Sequence, residues 1–256
     1  MLGVGTTSVK RFAERGQLPC VRTAGGHRRF SRAAVLAFRR AGGGEPTAEP
    51  AADSRWLGEW IALLTADGPV DVARALASER DRAGSWAAAA DGLSAVLDEI
   101  GRRWVAGELS VSEEHLASGR LTVALAGAGS PAPDHDASRA LLAGAQGDDH
   151  ALGLSLCEPV LRERGFAPVW LGCRVPTADL CAFIEARRPR LVLMSASAYS
   201  TDDVALAAQA ERVGQACSSA GARLVLGGRG HWPEASSRAE RLRRFVELVP
   251  LLRERA

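Results

Sequence analysis

Ala140-Leu141-Leu142-Ala143-Gly144-Ala145-Gln146-Gly147-Asp148-Asp149-His150-Ala151-Leu152-Gly153 is the stretch that decides how the second half of this chain reads. It opens with an apolar run, carries the pattern Asp148-x-His150-x-x-Gly153, and leads into an amphipathic segment. That order places a histidine on the loop leaving the first strand of an α/β domain, and ligands of such folds bind outside the carboxyl ends of the strands. Working outward, strands are expected at 139–144, 168–172, 190–195 and 223–227, with helices at 151–164, 177–187, 202–220 and 235–254. Alternating strands and helices imply a parallel sheet covered on both faces, a Rossmann-like (flavodoxin-like) α/β domain over 138–256. Leu191-Val192-Leu193-Met194 and Leu224-Val225-Leu226 are the continuous apolar runs that doubly covered strands require. Two further features share the strand-end geometry, Ser195 to Ser197 and Gly227-Gly228.

Upstream, residues 55–126 read as helix throughout, in segments 55–65, 70–83, 86–105 and 110–126. Breaks fall at Asp67-Gly68-Pro69, Ala83-Gly84-Ser85 and Gly107-Glu108, and such short connections imply an antiparallel four-helix bundle over 55–130. Asp71 and Ser112 are suited to cap helix starts. Trp104 ends the third helix while Glu114 and His115 lie in the first turns of the fourth, so an antiparallel turn gathers all three at one end of the bundle. Taken alone, Trp104 reads as core and Glu114-His115 as a surface pair.

Charge is distributed unevenly. Residues 1–40 hold nine basic side chains against Glu14 alone, a balance of +8 in a chain whose total is +2. Such asymmetry points to a nucleic-acid-facing N-terminus on a mildly acidic body. Within it, Thr6 to Arg15 has a helix-start signal and apolar residues at Val9, Phe12 and Ala13, stopped by Gly16. Thr7, Ser8 and Arg11 then sit where a recognition helix reaches bases and phosphates. Gly25-Gly26 permits a hairpin turn, with Arg28 and Arg29 beside it for phosphate contact. Gly25-Gly26-His27-Arg28-Arg29-Phe30 after a Val-Arg-Thr strand resembles the wing of the MerR and excisionase-like winged-helix family. That family begins with another helix, so a DNA-binding domain at 1–42 is expected to lack its first helix and to be marginal alone. The Gly-, Pro- and Ala-rich segment 43–54 reads as a flexible linker.

Composition excludes other classes. No apolar stretch suits a bilayer and no secretory signal pattern opens the chain, so a cytoplasmic protein without membrane partners is expected. The five cysteines are odd in number and contain no C-x-x-C pair, which argues against a disulfide frame or a zinc cluster.

Trp104-x9-Glu114-His115 resembles the motif that covers the upper face of cobalamin in CarH-type photoreceptor regulators, and Asp148-x-His150-x-x-Gly153, Ser195 and Gly227-Gly228, in that order, resemble the cobalamin-binding module itself. The resemblance implies a multidomain, non-enzymatic, cobalamin-dependent transcriptional regulator that senses light. It implies adenosylcobalamin, with methylcobalamin as the alternative, held by His150 as lower axial cobalt ligand and sheltered by Trp104, Glu114 and His115. Asp148 would orient the imidazole, Gly153 belongs to the same motif, and Ser195 would bond the inserted nucleotide tail or extend the Asp–His chain. Gly227 and Gly228 would leave room for that tail. Partners implied are double-stranded operator DNA and further copies of the chain, as a dimer or tetramer. Two positions depart from the pattern: Ser197 stands where a leucine is expected, and Val105 where a histidine follows the motif tryptophan. The rival readings are a corrinoid methyl carrier of a methyltransferase system and a light-independent cobalamin sensor.

Overall fold

The computed structural model describes residues 20–22, 28–30, 54–129, 137–234 and 236–253. Thr7, Ser8, Arg11 and the Gly25-Gly26 turn lie outside them. β1 (Cys20–Arg22) and β2 (Arg28–Phe30) pair antiparallel, Val21 opposite Arg29, which is the hairpin expected of the wing.

Four helices follow: α1 (Ser54–Thr65), α2 (Val72–Ala83), α3 (Trp86–Ala106) and α4 (Val111–Ala126). Each buries one stripe, such as Trp60, Ile61 and Leu64 on α1 and Leu93, Val96 and Ile100 on α3, the spacing that turns a single helical face inward. Their ends follow from local chemistry. Asp71 caps α2 by accepting from the Arg74 N–H at 2.9 Å, and Gly84 and Gly107 close α2 and α3 in the left-handed conformation that glycine adopts without strain. The cap of α4 is Ser110, not the expected Ser112: Ser110 accepts from the Glu113 N–H at 3.2 Å while the Glu113 carboxylate accepts from the Ser110 N–H at 2.6 Å. Ser112 already lies inside the helix, where the reciprocal pair leaves it no terminal N–H to satisfy. Arg120 on α4 donates to the carbonyls of Leu64, Ala66 and Gly68 and so ties α4 to the α1–α2 turn.

The α/β half contains β3 (Arg139–Gly144), α5 (Leu152–Glu163), β4 (Ala167–Gly172), α6 (Thr177–Arg187), β5 (Leu191–Ala196), α7 (Asp203–Ala220) and β6 (Arg223–Gly228). β7 (Glu240–Arg241) and α8 (Leu248–Arg253) complete it. The sheet is parallel throughout, in the order β4-β3-β5-β6-β7. The last expected helix, 235–254, is corrected by the structure: Glu240–Arg241 form a fifth strand, and helix resumes only with a 3-10 turn at Phe245–Glu247 and α8. The physical reason is the open edge of β6. Arg241 fills it by donating to the carbonyls of Leu226, Leu242 and Gly228, a role that a charge-rich, helix-like sequence does not advertise.

Successive strand residues face opposite cores. Ala140, Leu142, Leu193 and Val225 join α5 and the helical bundle, whereas Leu141, Val192, Met194 and Leu226 pack on α6 and α7. Bundle and sheet therefore share one continuous hydrophobic core. Polar staples reinforce it: Glu163 accepts from Arg80 and from the Trp86 N–H, and Asp91 accepts from the Phe245 N–H at 2.6 Å. In this strand order, chain direction reverses its progress between β3 and β5, and the crevice at their carboxyl ends is where such sheets bind ligands.

Candidate functional site

The loops leaving β3 and β5 meet at that crevice, and Asp148 is their common anchor. Only 4% exposed, its carboxylate accepts from the His150 Nδ1–H at 2.8 Å and the His150 N–H at 2.9 Å. From the β5 loop it accepts from the Ser197 N–H at 2.6 Å and the Ser200 hydroxyl at 2.7 Å. Burial pushes this carboxyl's pKa up, but the bonds from His150, Ser197 and Ser200 outweigh it and hold the group well below the usual carboxylate range. An ionised Asp148 can only accept, so Nδ1 of His150 carries the proton and Nε2 is the ring nitrogen left to act. The His150 side chain is 42% exposed, which leaves Nε2 reachable. Its pKa is raised by the hydrogen bond to Asp148, against the opposing effect of burial, with further contributions from the charges of Asp148, Asp149 and Glu114.

A second layer fixes the loops. Gln146 accepts from the Thr177 hydroxyl at 2.7 Å and N–H at 3.0 Å, Gln209 donates to Thr177 at 3.1 Å, and the Gln146 N–H returns to Gln209. Arg174, in the left-handed region after β4, pairs with Asp149. Ser195 is buried, and its Oγ would lie 3.2 Å from a Cβ at position 153, so Gly153 lets the start of α5 approach β5. The hydroxyl on the Asp–His pair is that of Ser200, while Ser197 contributes its backbone N–H and accepts from the Tyr199 N–H.

The glycines after β6 lie against β5. Gly228, at φ +81°, would place a Cβ 2.2 Å from the Ala196 carbonyl oxygen and 2.9 Å from Ser195 Oγ. What a side chain would strike first there is the protein's own β5. Gly227 meets only the Met194 carbonyl, at 3.8 Å.

Above the strand ends lies one end of the bundle. Asp98 on α3 pairs with Arg229, directly after Gly228. Glu114 on α4, which accepts from Ser118 at 2.7 Å and from His115 Nδ1 at 2.6 Å, is close enough to His150 to contribute to its raised pKa. Trp104 is half-buried against the shared core in the last turn of α3. His115 is exposed and lines a groove of about 1050 Å³ between α2 and α4 together with Leu116, Arg120 and Val123. The structure thus brings Asp148, His150, Gly153, Ser195, Ser197 and Gly228 to one crevice with Glu114 within electrostatic reach, while His115, bonded to Glu114, also lines the groove between α2 and α4. Ser200, Tyr199, Gln146, Thr177 and Gln209 were not singled out from sequence. A hydroxyl-rich turn after an apolar strand, Ser195 to Thr201, is the one signal that pointed to the first two.

Comparison with known proteins agrees with this architecture. Residues 1–43 match a helix-turn-helix domain, and residues 70–126, helices α2 to α4, match a B12 binding domain. The class these matches define is a chain carrying an N-terminal helix-turn-helix domain and a B12 binding domain. The chain is 33% identical over 112 residues to the HTH-type transcriptional repressor CarH of Myxococcus xanthus, a match covering 43% of this chain and 38% of that protein. The matched stretch spans well under half of that relative's length. Among solved structures, the monomethylamine corrinoid protein of Methanosarcina barkeri is 18% identical, with a TM-score of 0.48 over 77% of this chain and 94% of that one. A cobalamin-binding protein from Desulfitobacterium hafniense DCB-2 is 14% identical, with a TM-score of 0.37 over 77% and 97%.

Proposed function

We propose that this protein is a cobalamin-dependent transcriptional regulator and light sensor, in which loss of the upper cobalt ligand of adenosylcobalamin changes oligomeric state and DNA binding. The observation that carries the reading is the Asp148–His150 pair at the β3 strand end, with Nδ1 held and Nε2 reachable. The donor set fits a metal that brings its own macrocycle. Among the described residues no group of three or more His, Cys, Asp or Glu could hold a bare ion, whereas one oriented imidazole suits a single axial position.

When bound, the cofactor supplies a cobalt–carbon bond that light cleaves. His150 would hold the cobalt through Nε2, and Asp148 would keep its ring in the tautomer that exposes Nε2 and makes it more basic. Trp104 and Glu114 shield the opposite side, with His115 next to them. Ser195, Ser197, Gly153, Gly227 and Gly228 form the wall for the nucleotide tail. Because α3 and α4 bear on the strand ends through Asp98–Arg229 and Glu114, a change on the shielded side is felt by the whole bundle. Thr7, Ser8, Arg11, Arg28 and Arg29, within a DNA-binding segment 1–42 tethered by 43–54, contact operator DNA. Several weak arms gathered by assembly gain through avidity what one lacks.

A light-independent cobalamin sensor is the second reading, favoured by Val105, an aliphatic side chain at the position after Trp104. The deciding experiment reconstitutes the full chain with adenosylcobalamin in the dark, then records absorption and size-exclusion before and after green light. A bound spectrum that converts to a new stable form while the particle changes size is expected. Tight binding with no light-driven change in assembly favours the second reading, and absence of binding overturns both.

A further inference from the structure

We propose that Tyr199 is a positioning residue for His150, setting the plane in which Nε2 presents its lone pair. This rests on the reading of His150 as a cobalt ligand. The Tyr199 and His150 rings stack with centroids 5.1 Å apart and planes inclined by 22°. Asp148 restrains the imidazole at one atom, Nδ1, and a single hydrogen bond leaves the ring able to rock about that contact. A flat aromatic surface against its face removes that freedom. Axial ligation is directional: the Nε2 lone pair lies in the ring plane, so a tilted ring misaims it.

Tyr199 is itself held by the residues that anchor Asp148. Its N–H donates to Ser197 Oγ at 3.3 Å, the Ser200 N–H donates to the Ser197 carbonyl at 2.9 Å, and the Ser200 carbonyl accepts from the His231 N–H at 3.0 Å. The stretch that gives Asp148 the Ser197 N–H and the Ser200 hydroxyl therefore delivers the tyrosine ring as part of the same turn. Tyr199 is 39% exposed and belongs to neither hydrophobic core, so core packing does not explain a large aromatic side chain here. Its ring instead packs on the imidazole of His150.

The test uses the full chain and the variants Tyr199→Phe, Tyr199→Ala and His150→Ala. In the cofactor-free protein, the His150 ring protons, assigned by their loss in His150→Ala, are expected upfield-shifted in wild type and Tyr199→Phe and at ordinary positions in Tyr199→Ala. Titration with hydroxocobalamin is then followed by absorption. Electron paramagnetic resonance of the cobalt(II) form in nitrogen-15-labelled protein reports whether a protein nitrogen ligates. Tyr199→Ala is expected to bind about three- to tenfold more weakly and to broaden the nitrogen splitting, with Tyr199→Phe restoring both. Unchanged affinity and splitting in Tyr199→Ala, while His150→Ala abolishes the splitting, overturn the positioning role and leave the ligand reading standing. Binding and splitting unaltered in His150→Ala overturn the ligand reading, and the positioning role with it.

Discussion

The two sides of the crevice are built differently. Below, Asp148 is nearly buried and collects four hydrogen bonds from two loops, so His150 is held by tertiary structure. Above, Glu114 is bonded only within its own helix, by Ser118 and His115, and reaches the crevice only because α4 is docked there. Groups held within one helix travel with that helix, and groups held across loops cannot move without breaking the loops. The lower side is thus a seat held across two loops, and the upper side a set of groups carried by the helices of the bundle.

The sharpest way to break this contrast is at Asp148. Asp148→Ala leaves buried donors from Ser197 and His150 without an acceptor and frees the imidazole. Cobalamin affinity is expected to fall by about 10- to 100-fold, measured by titration, and thermal stability by about 1–3 kcal/mol. Glu114→Ala, by contrast, is expected to leave the melting temperature within the scatter of surface substitutions. If the two variants lose stability equally, the contrast fails.

Next in size is Gly228→Ala. A Cβ 2.2 Å from the Ala196 carbonyl, on a backbone at φ +81°, forces the β6 loop away from β5. Destabilisation of about 2 kcal/mol or more is expected in chemical unfolding. Gly227→Ala, with nothing nearer than 3.8 Å, is expected to be much milder. Equal effects would show that the close approach to β5 is not what requires glycine at 228.

A smaller effect is expected from Trp104→Ala on the upper side. It should reduce the preference for adenosylcobalamin over hydroxocobalamin by about tenfold while leaving hydroxocobalamin binding near wild type, since the lower seat is untouched. Equal losses for both cofactors would show that Trp104 serves packing alone.

The least effect concerns acid stability of the bundle. Glu99 on α3 accepts from Arg102 and Arg103, and chiefly the Arg102 bond lowers its pKa from 4.5 to about 2. A carboxyl depressed on folding contributes stability that is full above its unfolded value and disappears as pH falls through its folded one. Glu99→Gln is therefore expected to flatten the loss of stability between pH 4.5 and about 2, in unfolding curves recorded across that window.

Much of this molecule was legible in its sequence because the signals are local. Apolar runs such as Leu191 to Met194 mark doubly covered strands, Asp71 and the glycines at 84 and 107 punctuate the helices, and Asp148-x-His150 spans two residues of one loop. The strand at Glu240–Arg241 was missed because its reason to exist is the edge of β6, fifteen residues earlier at Leu226. Of the two roles read for Ser195, bonding the nucleotide tail or extending the Asp–His pair, the second is taken by Ser200, because a turn after β5 decides which oxygen arrives. His115, read beside Glu114, is bonded to it and also lines a groove between α2 and α4, which only the packing of those helices creates.

The sequence by itself determined the succession of a basic hairpin, a helical bundle and a parallel α/β sheet, and the placing of Asp148 and His150 on one strand-end loop, because periodicity, caps and short motifs act over a few residues. Tertiary structure alone decided the strand order, the buried charge of Asp148, the stack of Tyr199 on His150 and the bearing of the bundle on the strand ends. Those depend on which distant segments share a core, and no spacing along the chain records that.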